Sequence, residues 1–139
     1  MIIGGLVAGV AFFLLGWLIY GMLLQTFMTE NFNQCANLPM EEMKMGALAS
    51  SNFFFGFLLA IVLGWSNTSG LSSGLQRGLL IGLLLAGAYD LNFYSMTTMY
   101  KNVNALLVDV GVTTVMWGIV GGIIGLLYAS GKKETNSAS

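Results

Sequence analysis

The sequence predicts an all-α integral membrane protein, an antiparallel bundle of four transmembrane helices. Of its 139 residues, 56% are hydrophobic and only 8% are charged, whereas soluble domains carry about 25% charged residues. A helix that spans a membrane needs about 20 mainly apolar residues, and four stretches of that kind occur. Because the connections between them are short, we expect a single domain over residues 1–129 and a polar tail over residues 130–139.

The four predicted spans follow one another along the chain. The first covers about residues 2–24 and contains no charge, and the second covers residues 46–65. Pro39 suits the first turn of a helix, where its missing N–H is not needed, so the second helix is expected to begin near it. The third span covers residues 78–99, and the fourth covers residues 103–128.

The composition also excludes several classes of partner and cofactor. The net charge is −1, so nucleic acid, which is bound by basic surfaces, is not an expected partner. The chain has no His and one Cys, so it lacks the usual ligands of zinc and haem and the most common general base. We therefore expect no metal site, no cofactor and no enzymatic activity, and we expect the lipid bilayer as the environment.

The basic residues predict an orientation. Cytoplasmic loops of membrane proteins carry an excess of Lys and Arg. Four spans place both termini on one side, together with Arg77, Lys132 and Lys133, whereas Lys44 and Lys101 lie on the other side. The sequence therefore favours an arrangement with both termini in the cytoplasm.

Small residues recur at helical spacing in each predicted span. Helices in lipid associate through close backbone approach, which small residues permit. Two interpretations stand: these faces hold the bundle together, or one of them docks another subunit or a second copy. The residues expected to pack in this way are Gly56, Gly64, Gly78, Gly82, Gly118 and Gly122.

Two aspartates lie within the predicted spans. A charged side chain at the bilayer centre costs about 2.5–3.5 kcal/mol on insertion scales, so such residues usually face the protein interior and find a partner. If a tight turn joins the last two helices, Asp90 lies level with Thr113 and Thr114. Asp109 is then displaced from Asp90 by about 7–8 Å along the helix axis.

The polar residues near these aspartates form a candidate ion or ligand site. The aspartates could instead be structural carboxyls satisfied by neighbouring helices, and Asp90 could contact a partner subunit. Tyr89-Asp90 matches half of the motif of intramembrane aspartyl proteases, but the glycines expected before the second aspartate are missing at Asp109. The candidate site comprises Asp90, Asn92, Asp109, Tyr89, Thr113 and Thr114.

Four short segments resemble a family of uncharacterised small four-helix membrane proteins of bacteria. The resemblance implies four helices and a location in the bacterial inner membrane, and it implies no activity. The segments that carry it are Gly16-Trp17-Leu18-Ile19-Tyr20-Gly21, Gly78-Leu79-Leu80-Ile81-Gly82, Tyr89-Asp90-Leu91-Asn92, and Leu107-Val108-Asp109 with Trp117-Gly118.

Three functions from different classes remain open, and an intramembrane enzyme is the least favoured of them. The first is a non-enzymatic accessory or self-associating subunit of a membrane complex that packs through its small-residue faces. The alternative is a small transporter or an ion- or ligand-binding membrane protein that uses Asp90, Asn92 and Asp109.

Overall fold

The computed structural model describes the backbone of residues 1–137 and the side chains of that range except those of residues 36, 40 and 132–137. This part of the chain is all-helical and has no β-strand beyond one isolated bridge. Four of its helical segments are long and apolar enough to cross a membrane. The predicted helical class and the predicted number of candidate spans are therefore confirmed.

The helices follow in a simple order along the chain. The first continues without interruption into a short π-helical segment, and two single-turn 3₁₀ helices lie between the second and third helices. Their bounds are α1 Ile2–Leu18, the π-helical segment Ile19–Leu23, α2 Gln25–Asn31, the 3₁₀ turns Gln34–Ala36 and Met40–Glu42, α3 Met45–Trp65, α4 Leu71–Met96 and α5 Val103–Ser137.

Several helix ends differ from the expected ones. α3 begins at Met45 rather than near Pro39, because Lys44 has a non-helical backbone conformation (ψ 77°) that separates the preceding 3₁₀ turn from the helix. α4 begins at Leu71, so its first two turns are polar. α5 continues as backbone helix into the expected tail, of which residues 138 and 139 lie outside the described residues.

Close backbone contact joins α4 to α5, and this is the most extensive helix pair of the molecule. A Cβ atom added at Gly74 would lie 2.2 Å from the carbonyl oxygen of Gly121, and one added at Gly78 would lie 2.4 Å from that of Trp117. A Cβ at Gly82 would lie 2.5 Å from the Trp117 Cβ. These positions require glycine because the neighbouring backbone occupies the space of a side chain.

A second close contact joins α1 to α3. A Cβ at Gly56 would lie 2.4 Å from the backbone nitrogen of Gly9 and 2.7 Å from the Gly5 carbonyl oxygen. The other three predicted packing glycines meet side chains instead: a Cβ at Gly64 would meet Met1, and Cβ atoms at Gly118 and Gly122 would meet Leu79 and Leu71. All six predicted glycines thus lie against residues of this chain.

The core lies where α1, α3 and α5 meet. Phe12 and Trp117 are buried there with their ring centroids 4.8 Å apart, and Phe55 packs edge-on against Trp117 at 5.6 Å. α4 contacts α3 only slightly and packs mainly on α5. It is consequently the least buried of the four long helices.

The two ends of the bundle are closed by different contacts. At one end, which we call the terminal end (Met1 and residues 66–70), Arg77 donates hydrogen bonds to the Ser66 carbonyl oxygen at 2.6 Å and to the Thr68 hydroxyl at 2.5 Å. At the other, the loop end (residues 24–44 and 97–102), Phe32 and Tyr100 form the isolated bridge. The terminal end is thus held by a residue close in sequence, whereas the loop end joins residues far apart in sequence.

We expect Gly78→Ala to destabilise the protein, because its new methyl group would force the α4 and α5 backbones apart. Overpacking of this kind typically costs about 1–3 kcal/mol. Gly87→Ala is the matched control on the same helix, since its Cβ would meet nothing within 4 Å. The free energy of unfolding in detergent micelles measures the difference, and equal stability of the two variants would contradict the assigned packing.

Candidate functional site

Five polar side chains converge near the loop end, and we call them the carboxyl cluster. They come from four separate parts of the chain: the π-helical segment, α4, the connection between α4 and α5, and α5 itself. The cluster comprises Tyr20, Asp90, Tyr100, Asp109 and Thr113.

Asp109 is the centre of the hydrogen bonding. The Tyr20 hydroxyl donates to Asp109 Oδ1 at 2.5 Å, and the Tyr100 hydroxyl donates to Asp109 Oδ2 at 2.9 Å. The Tyr20 oxygen also lies 2.9 Å from the Thr113 hydroxyl, which lies one helical turn from Asp109. Both carboxyl oxygens of Asp109 are therefore engaged by tyrosines from outside α5.

The π-helical segment positions Tyr20. Within it the backbone N–H of Leu24 donates to the Ile19 carbonyl oxygen at 2.7 Å, which is an i to i+5 hydrogen bond. The wider π turn changes the direction in which side chains leave the helix relative to the preceding α-helix. π-helical turns are rare and frequently occur at functional sites, and this one carries the cluster's only residue from the first span.

The loop end positions Tyr100. Its ring packs against Phe32 with centroids 4.8 Å apart, and backbone hydrogen bonds on both sides of it join the two loops. These bonds run from Asn33 N to Met99 O at 2.8 Å and from Lys101 N to Asn31 O at 3.0 Å. Burial, together with the negative charge of Asp109, raises the pKa of Tyr100, so its hydroxyl stays protonated and remains a donor.

Asp90 approaches Asp109 from α4. The two helices run past each other so that Gly74 lies against Gly125, and Gly82 lies against Thr114 and Trp117. Asp90 lies two turns beyond Gly82 toward the C-terminal end of α4. Asp109 lies about two turns before Trp117, which packs against Gly82. Asp90 lies within electrostatic range of both Asp109 and Tyr100.

The expected helix register differs from this one, because the connection is longer than a tight turn. α4 ends at Met96 and α5 begins at Val103, so residues 97–102 intervene. Asp90 lies six residues before the last residue of α4, and Asp109 lies six residues after the first residue of α5. The two carboxyls are therefore at one level, and Thr114 lies beside Gly82 rather than beside Asp90.

One atom of the cluster lacks a partner. Asp90 Oδ2 is buried, and no hydrogen bond joins it to any described residue. The titratable groups that act on Asp90 are Asp109 and Tyr100, with no Lys or Arg among them. Buried polar atoms in proteins are nearly always hydrogen-bonded, so an exception calls for an explanation such as a bound water molecule, a bound ion or a catalytic role.

The remaining predicted site residues lie apart from the cluster. The Thr114 hydroxyl donates to the Val110 carbonyl oxygen of its own helix at 2.7 Å. Tyr89 is 57% exposed, and Asn92 is also exposed on α4. The structure thus brings together Asp90, Asp109 and Thr113, and it leaves Tyr89, Asn92 and Thr114 outside.

Sequence reasoning missed the two tyrosines. Tyr20 lies near the end of an apolar span, where tyrosine is usually an interfacial residue, and Tyr100 lies in what looked like a turn. Neither position carries a local motif. The only signal was indirect: a carboxyl within a span needs donors, and tyrosine hydroxyls at the same depth are suitable ones.

The donor set limits the chemistry that the cluster supports. Among the described residues, no group of three or more His, Cys, Asp or Glu side chains could hold a metal ion. Neighbouring carboxyl and hydroxyl groups within membrane spans are a type of donor set found in proton relays. The single cysteine, Cys35, is exposed and is not a member of the cluster.

We expect Tyr20→Phe and Tyr100→Phe each to lower stability, because each leaves one oxygen of Asp109 without its donor. Hydrogen bonds to charged groups contribute about 1.5–3 kcal/mol. Tyr89→Phe is the matched control, since that residue is exposed on α4. The measurement is the midpoint of thermal unfolding in detergent, and a loss in Tyr89→Phe as large as in the other two variants would contradict the assigned hydrogen bonds.

Comparisons of the chain with protein-family models, with curated proteins and with solved structures found no match. This result is consistent with the resemblance to an uncharacterised family.

Proposed function

We propose that the chain inserts into the inner membrane of a bacterium as an antiparallel four-helix bundle with both termini in the cytoplasm. Support comes from the four long apolar helices and from large apolar side chains that remain exposed on their outer faces, such as Leu84, Leu107 and Phe54. The loop end then faces the periplasm. The carboxyl cluster lies in the periplasmic half of the bundle.

We propose further that the carboxyl cluster takes up and releases a proton, as the site of a small proton-transporting membrane protein. The observation that carries this proposal is the pairing of Asp90 with Asp109 at one level, with a buried Asp90 oxygen that has no described partner. Two negative charges so placed in apolar surroundings repel each other strongly. One bound proton reduces the charge of the pair from −2 to −1.

The hydrogen bonding assigns different parts to the two aspartates. Asp109 already accepts from Tyr20 and Tyr100, so its orientation is fixed. Asp90 has the free oxygen, and a proton bound there makes that oxygen a donor instead of an unpaired acceptor. Uptake and release thus change the charge of the pair while Tyr20 and Tyr100 keep Asp109 in place.

The test is proton flux into vesicles that contain the purified protein and a trapped pH-sensitive dye, driven by a potassium diffusion potential. We expect the wild type to acidify the vesicles faster than protein-free vesicles do. Asp90→Asn and Asp109→Asn are expected to reduce the flux to the protein-free rate, because neither variant retains the carboxyl pair.

Glu41→Gln is the matched control, since it removes one carboxylate from an exposed position at the loop end. It should leave the flux unchanged. Wild-type flux in Asp90→Asn would overturn the proposal. If that variant does not fold, two other measurements decide. Asp90→Glu keeps the carboxyl and should keep the flux, and the wild-type protein should show the infrared band of a protonated carboxyl. Loss of flux in a folded Asp90→Glu protein together with absence of that band would overturn the proposal.

Self-association is a second candidate function, favoured by Asn92. This side chain is exposed on the face of α4 that α5 does not cover, and its amide forms no hydrogen bond to a described residue. An amide is both donor and acceptor, so two copies related by a twofold axis satisfy each other's Asn92 across lipid-facing helices. The six packing glycines do not support this interface, because the chain's own helices cover them.

Cysteine crosslinking in membranes tests self-association. In a Cys35→Ser background we expect Asn92→Cys to form a disulfide-linked dimer on mild oxidation. Leu107→Cys is the control, because Leu107 is 62% exposed on α5 at the same level as Asn92. A dimer in both variants, or in neither, would contradict an interface on α4, and an adduct of another mass would identify a different membrane subunit as the partner.

A further inference from the structure

A large cavity lies beside the carboxyl cluster, on the other side of Tyr20. Its volume is about 1000 Å³, and it is partly open to the surroundings. It is bounded by α1 with its π-helical segment, by α2, by the loop before α3 and by the first three turns of α3. A volume of this size lies at the upper end of typical ligand sites.

The lining of the cavity changes character from its interior to its rim. Phe13, Phe55 and Met116 line it toward the core, and Trp17 and Leu48 extend this apolar wall. The polar residues of the lining come mainly from the loop and the start of α3, and they are Gln25, Thr29, Gln34, Asn37, Lys44, Ser51 and Asn52. Such a distribution fits an amphipathic molecule whose apolar part points into the bundle.

The positive charge at the rim of the cavity indicates which headgroup a bound amphipathic molecule would carry. Lys44 is the one charged side chain among the described residues that line the cavity, and no Asp or Glu is among them. Lys44 is also the N-cap residue of α3, where the helix dipole adds positive potential. The rim therefore complements an anionic headgroup through the Lys44 ammonium.

We propose that this cavity binds an anionic phospholipid of the surrounding membrane. The headgroup phosphate lies at Lys44, and an acyl chain lies along Trp17 and Phe55 toward Met116. This site is separate from the proposed proton site and does not depend on it. Tyr20 is the one residue that belongs to both, since it lines the cavity and donates to Asp109.

Two pairs of variants test the site, with lipid retention by the detergent-purified full chain measured by native mass spectrometry. Gly16→Leu fills the cavity, because Gly16 lines it and an added Cβ meets nothing within 4 Å. Gly111→Leu is its control, since Gly111 is equally unobstructed and does not line the cavity. Lys44→Gln removes the charge, and Lys101→Gln removes a charge elsewhere at the loop end.

We expect the wild type to retain phosphatidylglycerol in preference to phosphatidylcholine. Gly16→Leu should lose the bound lipid, whereas Gly111→Leu should retain it. Lys44→Gln should weaken retention of phosphatidylglycerol by about fivefold, the change expected for one Lys near an anionic headgroup, whereas Lys101→Gln should not. Equal loss in Lys44→Gln and Lys101→Gln, undiminished retention in Gly16→Leu, or a preference for the zwitterionic lipid would overturn the proposal.

Tryptophan fluorescence provides a second readout that needs no cavity-filling variant. In a Trp65→Phe protein, Trp17 lines the cavity and Trp117 is buried in the core. Brominated phosphatidylglycerol should quench Trp17 at lower lipid fractions than brominated phosphatidylcholine, and Lys44→Gln should abolish this difference. Identical quenching by both lipids in the Trp65→Phe protein that retains Lys44 would show only general lipid contact and would reject the site.

Discussion

Close approach of the α4 and α5 backbones is the constraint on which the candidate site depends. Gly74, Gly78 and Gly82 admit only one spacing of these helices, because each lies against backbone or Cβ atoms of α5. The contact fixes the register as well as the distance. The glycine contact therefore brings Asp90 level with Asp109. The carboxyl cluster thus depends on glycines that lie two or more helical turns from Asp90 along α4.

The number and type of the long helices could be predicted from the sequence, because apolar runs of sufficient length are a strong signal. The register could not be predicted in the same way. It depends on where α4 stops and α5 starts. Residues 97–99 belong to the expected third span and residues 101 and 102 to the expected tight turn, whereas the structure has all of residues 97–102 outside the two helices. An error of a few residues there moves Asp90 by a full turn relative to Asp109. The role of Tyr20 depends on a π-helical turn, for which no sequence pattern is apparent.

The hydrogen bonds of Asp109 also explain how a polar group is accommodated among apolar helices. Its two tyrosine donors come from the first span and from the loop end, so one carboxyl joins three separate parts of the chain. Tyr100 is itself held by Phe32 and by backbone bonds between the two loops. Asp109 thus has the environment of a structural residue. Asp90 lacks such partners for Oδ2, and this difference between the two aspartates is the basis of the proposed proton uptake at Asp90.

Tyr20 connects the two proposed sites physically. Its ring lines the cavity, while its hydroxyl donates to Asp109 and lies beside Thr113. On the proposed lipid binding, an acyl chain in the cavity would pack against this ring and hold its hydroxyl toward Asp109. The Tyr20 hydroxyl donates to the Asp109 carboxyl. If both proposals hold, lipid occupancy and proton affinity are therefore coupled through this one side chain, although each site is formed by its own residues, and linkage requires the coupling to act equally in both directions.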